Sequence, residues 1–287
     1  MNATLPTTIP TPLVSAEALR SALAAGAMPV ILDCSFDLAD TGAGRRAFEQ
    51  AHLPGAFHAH LDTDLAGAKT GRNGRHPLPD RAAWAATLGR WGVGASTPVI
   101  AYDAQGGMYA ARAWWMLLWV GHAAASVLDG GLAAWRDAGG AVESGSGTPG
   151  KGLPPYPISV SRVPTMDADT LQASLGRVTL LDARAGERFR GEVEPLDARA
   201  GHIPGARSRF FKDNLQADGR FLPAPELRAV FEAFGAEPAH IVHQCGSGVT
   251  ACHNLLAMEA AGMRGSVLYP GSWSEWSADP ARPIAVG

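Results

Sequence analysis

The two halves of the sequence repeat the same series of short motifs, and this repeat constrains the fold more than any other feature. Each motif of the first half returns in the same order in the second half. The pairs are Val30–Asp33 with Thr179–Asp182, Ala51–Ala56 with Gly201–Ala206, and Leu128–Trp135 with the segment that begins at Leu268. Self-similarity of this kind indicates two copies of one structural unit rather than a single long domain.

Length and apolar patterning predict the class of each copy. The 287 residues divide into two halves of ordinary domain size. Short apolar runs alternate with helix-like stretches, which predicts buried parallel strands with covering helices. These runs are Pro29–Leu32, Pro98–Tyr102, Val178–Leu181 and Ile241–Gln244. We therefore expect an α/β protein of two domains, each a small doubly wound parallel sheet, at residues 1–140 and 164–287. The Gly, Ser and Pro residues of 141–163 predict an exposed linker.

A single cysteine marks the most reactive position that the sequence predicts. In the run Val242–Ala251, Cys245 stands between a β-branched strand and a glycine-rich loop that opens a helix over about Val249–Ala261. Gly246 and Gly248 allow a tight turn in which backbone N–H groups converge on one point, and the helix adds its positive end. Such a loop would stabilise a thiolate. The alternative is a buried structural cysteine at a strand end.

The cysteine loop and two further motifs resemble the rhodanese superfamily. The loop Cys245–Ala251 (CGSGVTA) is similar to the loop of mercaptopyruvate sulfurtransferases and related bacterial thiosulfate sulfurtransferases. Gly201–Ala206 (GHIPGA) and Leu268–Trp276 (LYPGSWSEW) also resemble family segments. The resemblance implies a tandem-domain sulfurtransferase that carries sulfur as a persulfide on Cys245, after the thiolate has attacked the donor's sulfur.

The first copy of the loop presents a carboxylate where the second presents the thiol. Pro98–Asp103 aligns with His240–Cys245, so Asp103 takes the position of Cys245. A carboxylate cannot carry sulfur, but it can cap the start of a helix. We expect the first domain to be catalytically silent, to wall the cleft and to lend side chains to the second.

The resemblance also implies a proton relay of serine, histidine and aspartate. By order and spacing these residues are Ser247, His76 and Asp62. Asp62 would orient His76, and His76 would polarise Ser247 beside the reacting sulfur. Taken alone, His76 is equally typical of a surface loop.

The expected donor carries a carboxylate, and Arg188 fits one of two arginines that the resemblance implies for it. The alternative role of Arg188 is a surface ion pair with Glu187 or Glu192. No residue of this sequence matches the second arginine. Asp197, which would repel an anion, occupies its position, and Arg199 is only a replacement nearby. The remaining predicted contacts are backbone N–H groups of the loop, at Gly246, Gly248, Val249, Thr250 and Ala251.

The neutral loop favours 3-mercaptopyruvate as donor, with thiosulfate as the alternative. Expected acceptors are cyanide, a small thiol or thioredoxin. A cysteine-dependent phosphatase would need an arginine six residues after Cys245, where the chain has Ala251. A non-catalytic rhodanese-like binding module is the other alternative, and the intact Cys245 argues against it.

Composition and cysteine spacing exclude several other classes. A net charge of −3 without a basic stripe argues against nucleic-acid binding. Cys34, Cys245 and Cys252 lack the spacing of a zinc site, so we expect no metal and no cofactor, with Cys34 and Cys252 as core residues. The apolar stretch Trp114–Val120 is too short to cross a membrane and predicts a core helix. The N-terminus lacks a secretory pattern, which predicts a cytoplasmic protein.

Overall fold

The computed structural model describes residues 12–147, 149–150 and 152–287, which form two compact units. Unit 1 comprises the chain up to Asp64 and Asp80–Arg162, and unit 2 comprises Leu65–Pro79 and Val163–Gly287. The segment Leu65–Pro79 therefore comes from the first half of the sequence but belongs to unit 2. The expected boundaries at 1–140, 141–163 and 164–287 stay a prediction. Residues 1–11, with the expected absence of a leader, and Thr148 and Lys151 of the expected linker lie outside the described residues.

Unit 1 is a parallel sheet with helices between its strands. Its strands are β1 (Leu13–Val14), β2 (Val30–Asp33), β3 (Phe57–His58), β4 (Val99–Tyr102) and β5 (Ala125–Leu128), and its helices are α1 (Ala16–Ala24), α2 (Ala43–Gln50), α3 (Arg81–Arg90), α4 (Ala110–Trp119) and α5 (Gly131–Asp137). The strand order is β1-β5-β4-β2-β3, with every pair parallel. The apolar residues of β4 are all buried, as the sequence predicts for a central strand.

Unit 2 repeats this arrangement. Its strands are β6 (Thr179–Asp182), β7 (Arg207–Ser208), β8 (Ile241–Gln244) and β9 (Val267–Leu268), and its helices are α6 (Ala168–Ser174), α7 (Gly186–Arg190), α8 (Ala224–Glu232), α9 (Ala251–Ala260) and α10 (Ser272–Trp276), with short 3₁₀ turns at Phe211–Asn214 and Pro238–His240. The parallel order β7-β6-β8-β9 matches β3-β2-β4-β5 of unit 1. The predicted pair of α/β domains is confirmed.

Each sheet buries its own apolar core. In unit 1 the core includes Ile100 and Trp135, and in unit 2 it includes Val242 and Trp273. The predicted core helix at Trp114–Val120 is confirmed as the second half of α4, whose residues are mostly buried. No helix among the described residues has both the length and the apolar character that a membrane span requires.

Side chains at helix starts explain where several helices begin. Ser15 accepts a hydrogen bond from the Ala18 N–H before α1, Asp80 accepts from Ala82 and Ala83 in α3, and Asp167 accepts from Thr170 in α6. Other helices begin without a side-chain cap, and α9, whose N-cap residue is Thr250, is one of them. The N-terminal turn of α9 therefore lacks a local side-chain oxygen of the kind that caps α1, α3 and α6.

Candidate active site

Cys245 lies directly after β8, at the carboxyl end of a central strand of unit 2. This is the edge at which ligands collect in open parallel sheets. The thiol-bearing residue is 2% exposed, and the whole loop from Cys245 to Thr250 is buried. The loop leads straight into α9, so the predicted order of strand, cysteine, glycine-rich loop and helix is confirmed.

Two glycines shape the loop for different reasons. Gly248 has a φ of +75°, and a Cβ atom there would lie 2.2 Å from the Pro270 carbonyl oxygen. Only glycine satisfies both conditions at that position. At Gly246, a Cβ atom would lie 2.8 Å from Nη2 of Arg75 and 3.5 Å from Nη1 of Arg188. The missing side chain of Gly246 leaves room for two guanidinium groups beside the cysteine.

The equivalent loop of unit 1 shows what this backbone can bind. Asp103 Oδ1 accepts hydrogen bonds from the N–H groups of Gln105 at 2.8 Å and Gly107 at 2.9 Å. Its Oδ2 accepts from Tyr109 at 2.7 Å and Ala110 at 2.9 Å. The predicted capping role of Asp103 is thus confirmed, and the loop is an anion cradle filled by its own carboxylate. Burial raises the pKa of Asp103 above its usual range, against the lowering effect of these hydrogen bonds.

The segment Leu65–Pro79 brings His76 to the cysteine loop. His76 Nδ1 lies 2.7 Å from Ser247 Oγ, and both side chains are buried. The preceding residues hold the segment in place, because the Arg75 N–H donates to Ser274 Oγ at 3.0 Å. Gly74, with a φ of +84°, lies so close to Gly271 that a Cβ atom would be 2.9 Å from the Gly271 carbonyl oxygen. The structure therefore brings together two members of the predicted relay.

The third predicted member, Asp62, belongs to unit 1. Its backbone N–H donates to His60 Nδ1 at 3.2 Å. Its role in orienting His76 stays a prediction.

The two arginines beside Gly246 share acidic partners. Arg188 Nη2 lies 2.7 Å from Glu194 Oε1 and 3.5 Å from Asp197 Oδ2. Arg75 forms an ion pair with the other oxygen of Asp197. Both carboxylates are almost fully buried and both guanidiniums are partly exposed, so the acidic side chains contact the arginines from the buried side.

A buried arginine anchors this charge network to the sheet. Arg184 pairs with Asp182 at the end of β6 at 2.7 Å and with Glu194 at 3.3 Å, and its guanidinium lies 4.7 Å from the ring centroid of Trp273. Alternating charges thus run from the sheet edge to the loop, which fixes each guanidinium in orientation.

The comparison with protein families agrees with this geometry. The family model described as "Rhodanese-like domain" matches twice, over residues 15–138 and 167–279. The chain belongs to the rhodanese-like family.

Relatives of this rhodanese-like protein match it over almost its whole length. A Pseudomonas aeruginosa protein provisionally named 3-mercaptopyruvate sulfurtransferase is 48% identical over 268 residues, which cover 90% of this chain and 92% of the relative. A Mycobacterium tuberculosis protein provisionally named thiosulfate sulfurtransferase SseB is 42% identical over 279 residues, covering 96% and 97%. The solved structure of 3-mercaptopyruvate sulfurtransferase from Leishmania major superposes with a TM-score of 0.82 at 30% identity, covering 96% of this chain and 76% of that one.

Sequence reasoning missed Arg75, a second arginine beside the cysteine loop. Arg75 lies beside Gly246, whereas Arg199, the replacement considered from sequence, donates to the carbonyl oxygens of Trp276, Ser277 and Arg282 instead. The sequence did carry one signal for Arg75, its position, because it directly precedes His76, which was already assigned to the relay. The alternative considered for Arg188, a surface pair with Glu187 or Glu192, names other partners than the structure shows, because Arg188 pairs with Glu194 and Asp197, and Glu192 pairs with Arg190.

Asp197, which was expected to repel an anion, has two basic partners in the structure. Its carboxylate lies between two guanidiniums and contacts both, so its charge is offset in place. Asp197 therefore lowers the positive charge of the arginine pair without presenting an unpaired negative charge to a ligand.

The other two cysteines lie in the cores of their units. Cys34 and Cys252 are fully buried, and burial is the main cause that raises the pKa of Cys34 well above its usual range. A thiol with a raised pKa is a poor nucleophile. Among the described residues, no three His, Cys, Asp or Glu side chains are grouped so as to hold a metal ion.

Proposed function

We propose that this protein is a sulfurtransferase that moves a sulfur atom from 3-mercaptopyruvate to a thiol or cyanide acceptor through a persulfide on Cys245. The observation that carries the proposal is the grouping around one loop of Cys245, the His76–Ser247 contact of 2.7 Å and two guanidiniums beside Gly246. These parts correspond to a nucleophile, a proton carrier and a carboxylate clamp.

The first half-reaction needs all three parts. The Cys245 thiolate attacks the thiol sulfur of 3-mercaptopyruvate, an S–S bond forms, and the C–S bond breaks. The carbon side leaves as the enolate of pyruvate, which takes up the thiol proton and departs as pyruvate. Ser247 and His76 carry this proton, with Nδ1 accepting from the serine hydroxyl. Arg75 and Arg188 bind the donor's carboxylate.

The second half-reaction returns the thiolate. An acceptor thiolate or cyanide attacks the outer sulfur of the persulfide, and the S–S electrons go back to Cys245. We propose a small thiol or thioredoxin as the cellular acceptor and the cytoplasm as the site of action. The loop N–H groups from Gly246 to Ala251 stabilise both anionic forms of the cysteine. The Asp103 carboxylate in the sister loop supports this, because four N–H groups surround it.

Thiosulfate is the second candidate donor. The two guanidiniums favour it, since a dianion would also bind there, and its sulfite leaving group needs no proton. The charge of Asp197 favours 3-mercaptopyruvate instead, because this carboxylate offsets part of the positive charge of Arg75 and Arg188. A site with reduced positive charge suits a single carboxylate better than a dianion.

Intact-protein mass spectrometry after donor treatment tests the proposal. We expect Cys245 to gain the mass of one sulfur atom with 3-mercaptopyruvate, to lose it when cyanide is added, and to gain nothing in Cys245→Ser. Cys252→Ser is the matched control, because Cys252 is a buried cysteine of the same unit and should leave the gain intact. Sulfur transfer at the wild-type rate in Cys245→Ser would refute a persulfide on this residue.

A further inference from the structure

Ser272 has a backbone conformation that its residue type disfavours. Its φ of +56° is the one positive φ among the non-glycine residues that the structure describes. In this left-handed region the Cβ atom crowds the backbone, so glycine is strongly preferred. Side chains held in such strained conformations concentrate at functional sites, where surrounding contacts impose them.

The equivalent position of unit 1 is a glycine with the same φ. Strand register defines the equivalence: Val127 pairs with Ala101 two residues before Asp103, and Leu268 pairs with His243 two residues before Cys245. Four residues beyond Val127 lies Gly131, whose φ is also +56°. A Cβ atom on Gly131 would lie 2.0 Å from the Asp103 carbonyl oxygen. The cysteine-bearing unit therefore has a serine in a disfavoured conformation where the other unit has a glycine, which adopts this φ without strain.

The side chain of Ser272 contacts the nucleophile's own backbone. Its Oγ accepts the Cys245 N–H at 3.1 Å and donates to the Tyr269 carbonyl oxygen at 3.0 Å, and the side chain is fully buried. The next residue holds the other side of Cys245, because the Trp273 N–H donates to the Cys245 carbonyl oxygen at 2.9 Å. The start of α10 thus clamps Cys245 at both its N–H and its C=O. A hydroxyl can accept and donate at once, which neither glycine nor alanine can do.

We propose that Ser272 is a positioning residue for Cys245, whose hydroxyl fixes the backbone of the cysteine and so the direction in which Sγ meets the donor. This inference rests on the proposed function. Because Ser272 acts on the nucleophile rather than on the donor, its loss affects every donor equally. That behaviour separates it from Ser247 and His76, whose proposed task is a proton that only 3-mercaptopyruvate supplies.

Two substitutions separate positioning from stability. Ser272→Gly removes the hydroxyl and relieves the backbone conformation, whereas Ser272→Ala removes the hydroxyl and keeps the strain. Single-turnover persulfide formation on Cys245, followed by mass spectrometry, should slow by about tenfold in both variants, the effect of one buried hydrogen bond. The slowing should be equal for 3-mercaptopyruvate and thiosulfate, with KM almost unchanged. The thermal midpoint of Ser272→Gly should equal or exceed that of Ser272→Ala.

The matched control is Ser174→Ala in α6 of the same unit. The Ser174 hydroxyl donates to the Thr170 carbonyl oxygen in an exposed position, and its loss should leave both rates unchanged. Wild-type persulfide formation in Ser272→Gly would overturn the proposal and leave Ser272 with a structural role only. A loss confined to one donor would overturn it as well. Absence of any persulfide on wild-type Cys245 would instead refute the proposed function.

Discussion

Cys245 and Asp103 occupy equivalent positions in two similar loops, and their side chains decide what each loop can do. The Asp103 carboxylate fills its own cradle with four hydrogen bonds, so that loop is complete without a ligand. The loop of Cys245 carries a smaller, polarisable atom and leads into a helix that has no side-chain cap. A single side chain therefore distinguishes a structural cap from the proposed nucleophile.

At the same scale, Ser247→Ala should separate the two donors. Transfer from 3-mercaptopyruvate requires a proton for the leaving enolate, whereas transfer from thiosulfate releases sulfite without one. We expect persulfide formation to slow by about a hundredfold with 3-mercaptopyruvate and to change little with thiosulfate. Stopped-flow measurement with each donor checks this. Equal slowing with both would show that Ser247 supports the loop rather than the proton, despite its contact with His76.

Asp197→Asn should shift the donor preference. The substitution removes the negative charge shared by Arg75 and Arg188 while keeping a side chain of the same shape. We expect the ratio of kcat/KM for thiosulfate to that for 3-mercaptopyruvate to rise about tenfold, or about 1.4 kcal/mol. Asp218→Asn changes the net charge identically at an exposed pair with Arg220 and should leave the ratio unaltered. An unchanged ratio in Asp197→Asn would mean that Asp197 does not set the accepted charge.

Among the structural elements, the segment Leu65–Pro79 supplies Arg75 and His76 to unit 2. Gly74 determines how closely it packs, because a Cβ atom there would lie 2.9 Å from both the Gly271 carbonyl oxygen and Ser274 Oγ. Gly74→Ala should displace both side chains and lower kcat/KM for 3-mercaptopyruvate by about tenfold or more. Steady-state kinetics measure the loss.

The control for that segment is Gly71→Ala. Gly71 has a φ of +82°, close to the +84° of Gly74, but a Cβ atom there would meet nothing within 4 Å. It carries the same backbone cost without the collision, so it should keep near wild-type kinetics. Equal losses in the two variants would attribute the effect to backbone strain alone.

The helices and strands were largely predictable, because the periodic spacing of apolar residues and the repeated motifs are local signals in the sequence. The strands at Val30, Val99, Thr179 and Ile241 and the helix after Cys245 follow from these signals, whereas the His76–Ser247 pair was implied by the family resemblance. Arg75 and the strained Ser272 follow from neither. Their contacts depend on a segment that joins the other unit and on a left-handed φ, and neither leaves a periodic pattern.

At the scale of the whole molecule, each unit buries a neutral imidazole, and this links folding to pH. Burial lowers the pKa of His58 in unit 1 to about 4 and the pKa of His243 in unit 2 to about 3. His243 is fully buried, with Nε2 3.1 Å from Met258 Sδ. The unfolded chain takes up these protons near the ordinary value of 6.5. The two neutral imidazoles therefore contribute their full stabilisation of the folded state above pH 6.5. This stabilisation is lost as the pH falls toward their pKa values in the folded protein.

His243→Leu should flatten this dependence, because it removes the titrating group while keeping an apolar side chain in the same place. Between pH 6.5 and 5, we expect the free energy of unfolding of the wild type to fall by about 1.5 kcal/mol more than that of the variant. Urea denaturation at the two pH values, followed by tryptophan fluorescence, measures the difference. Carboxyl groups such as Asp103, whose burial raises their pKa, act in the opposite direction but equally in both proteins, so they cancel.

The exposed His240 offers the control His240→Gln, which should keep the wild-type slope. A wild-type slope in His243→Leu would show that folding does not change the protonation of this imidazole between pH 6.5 and 5, contrary to its burial.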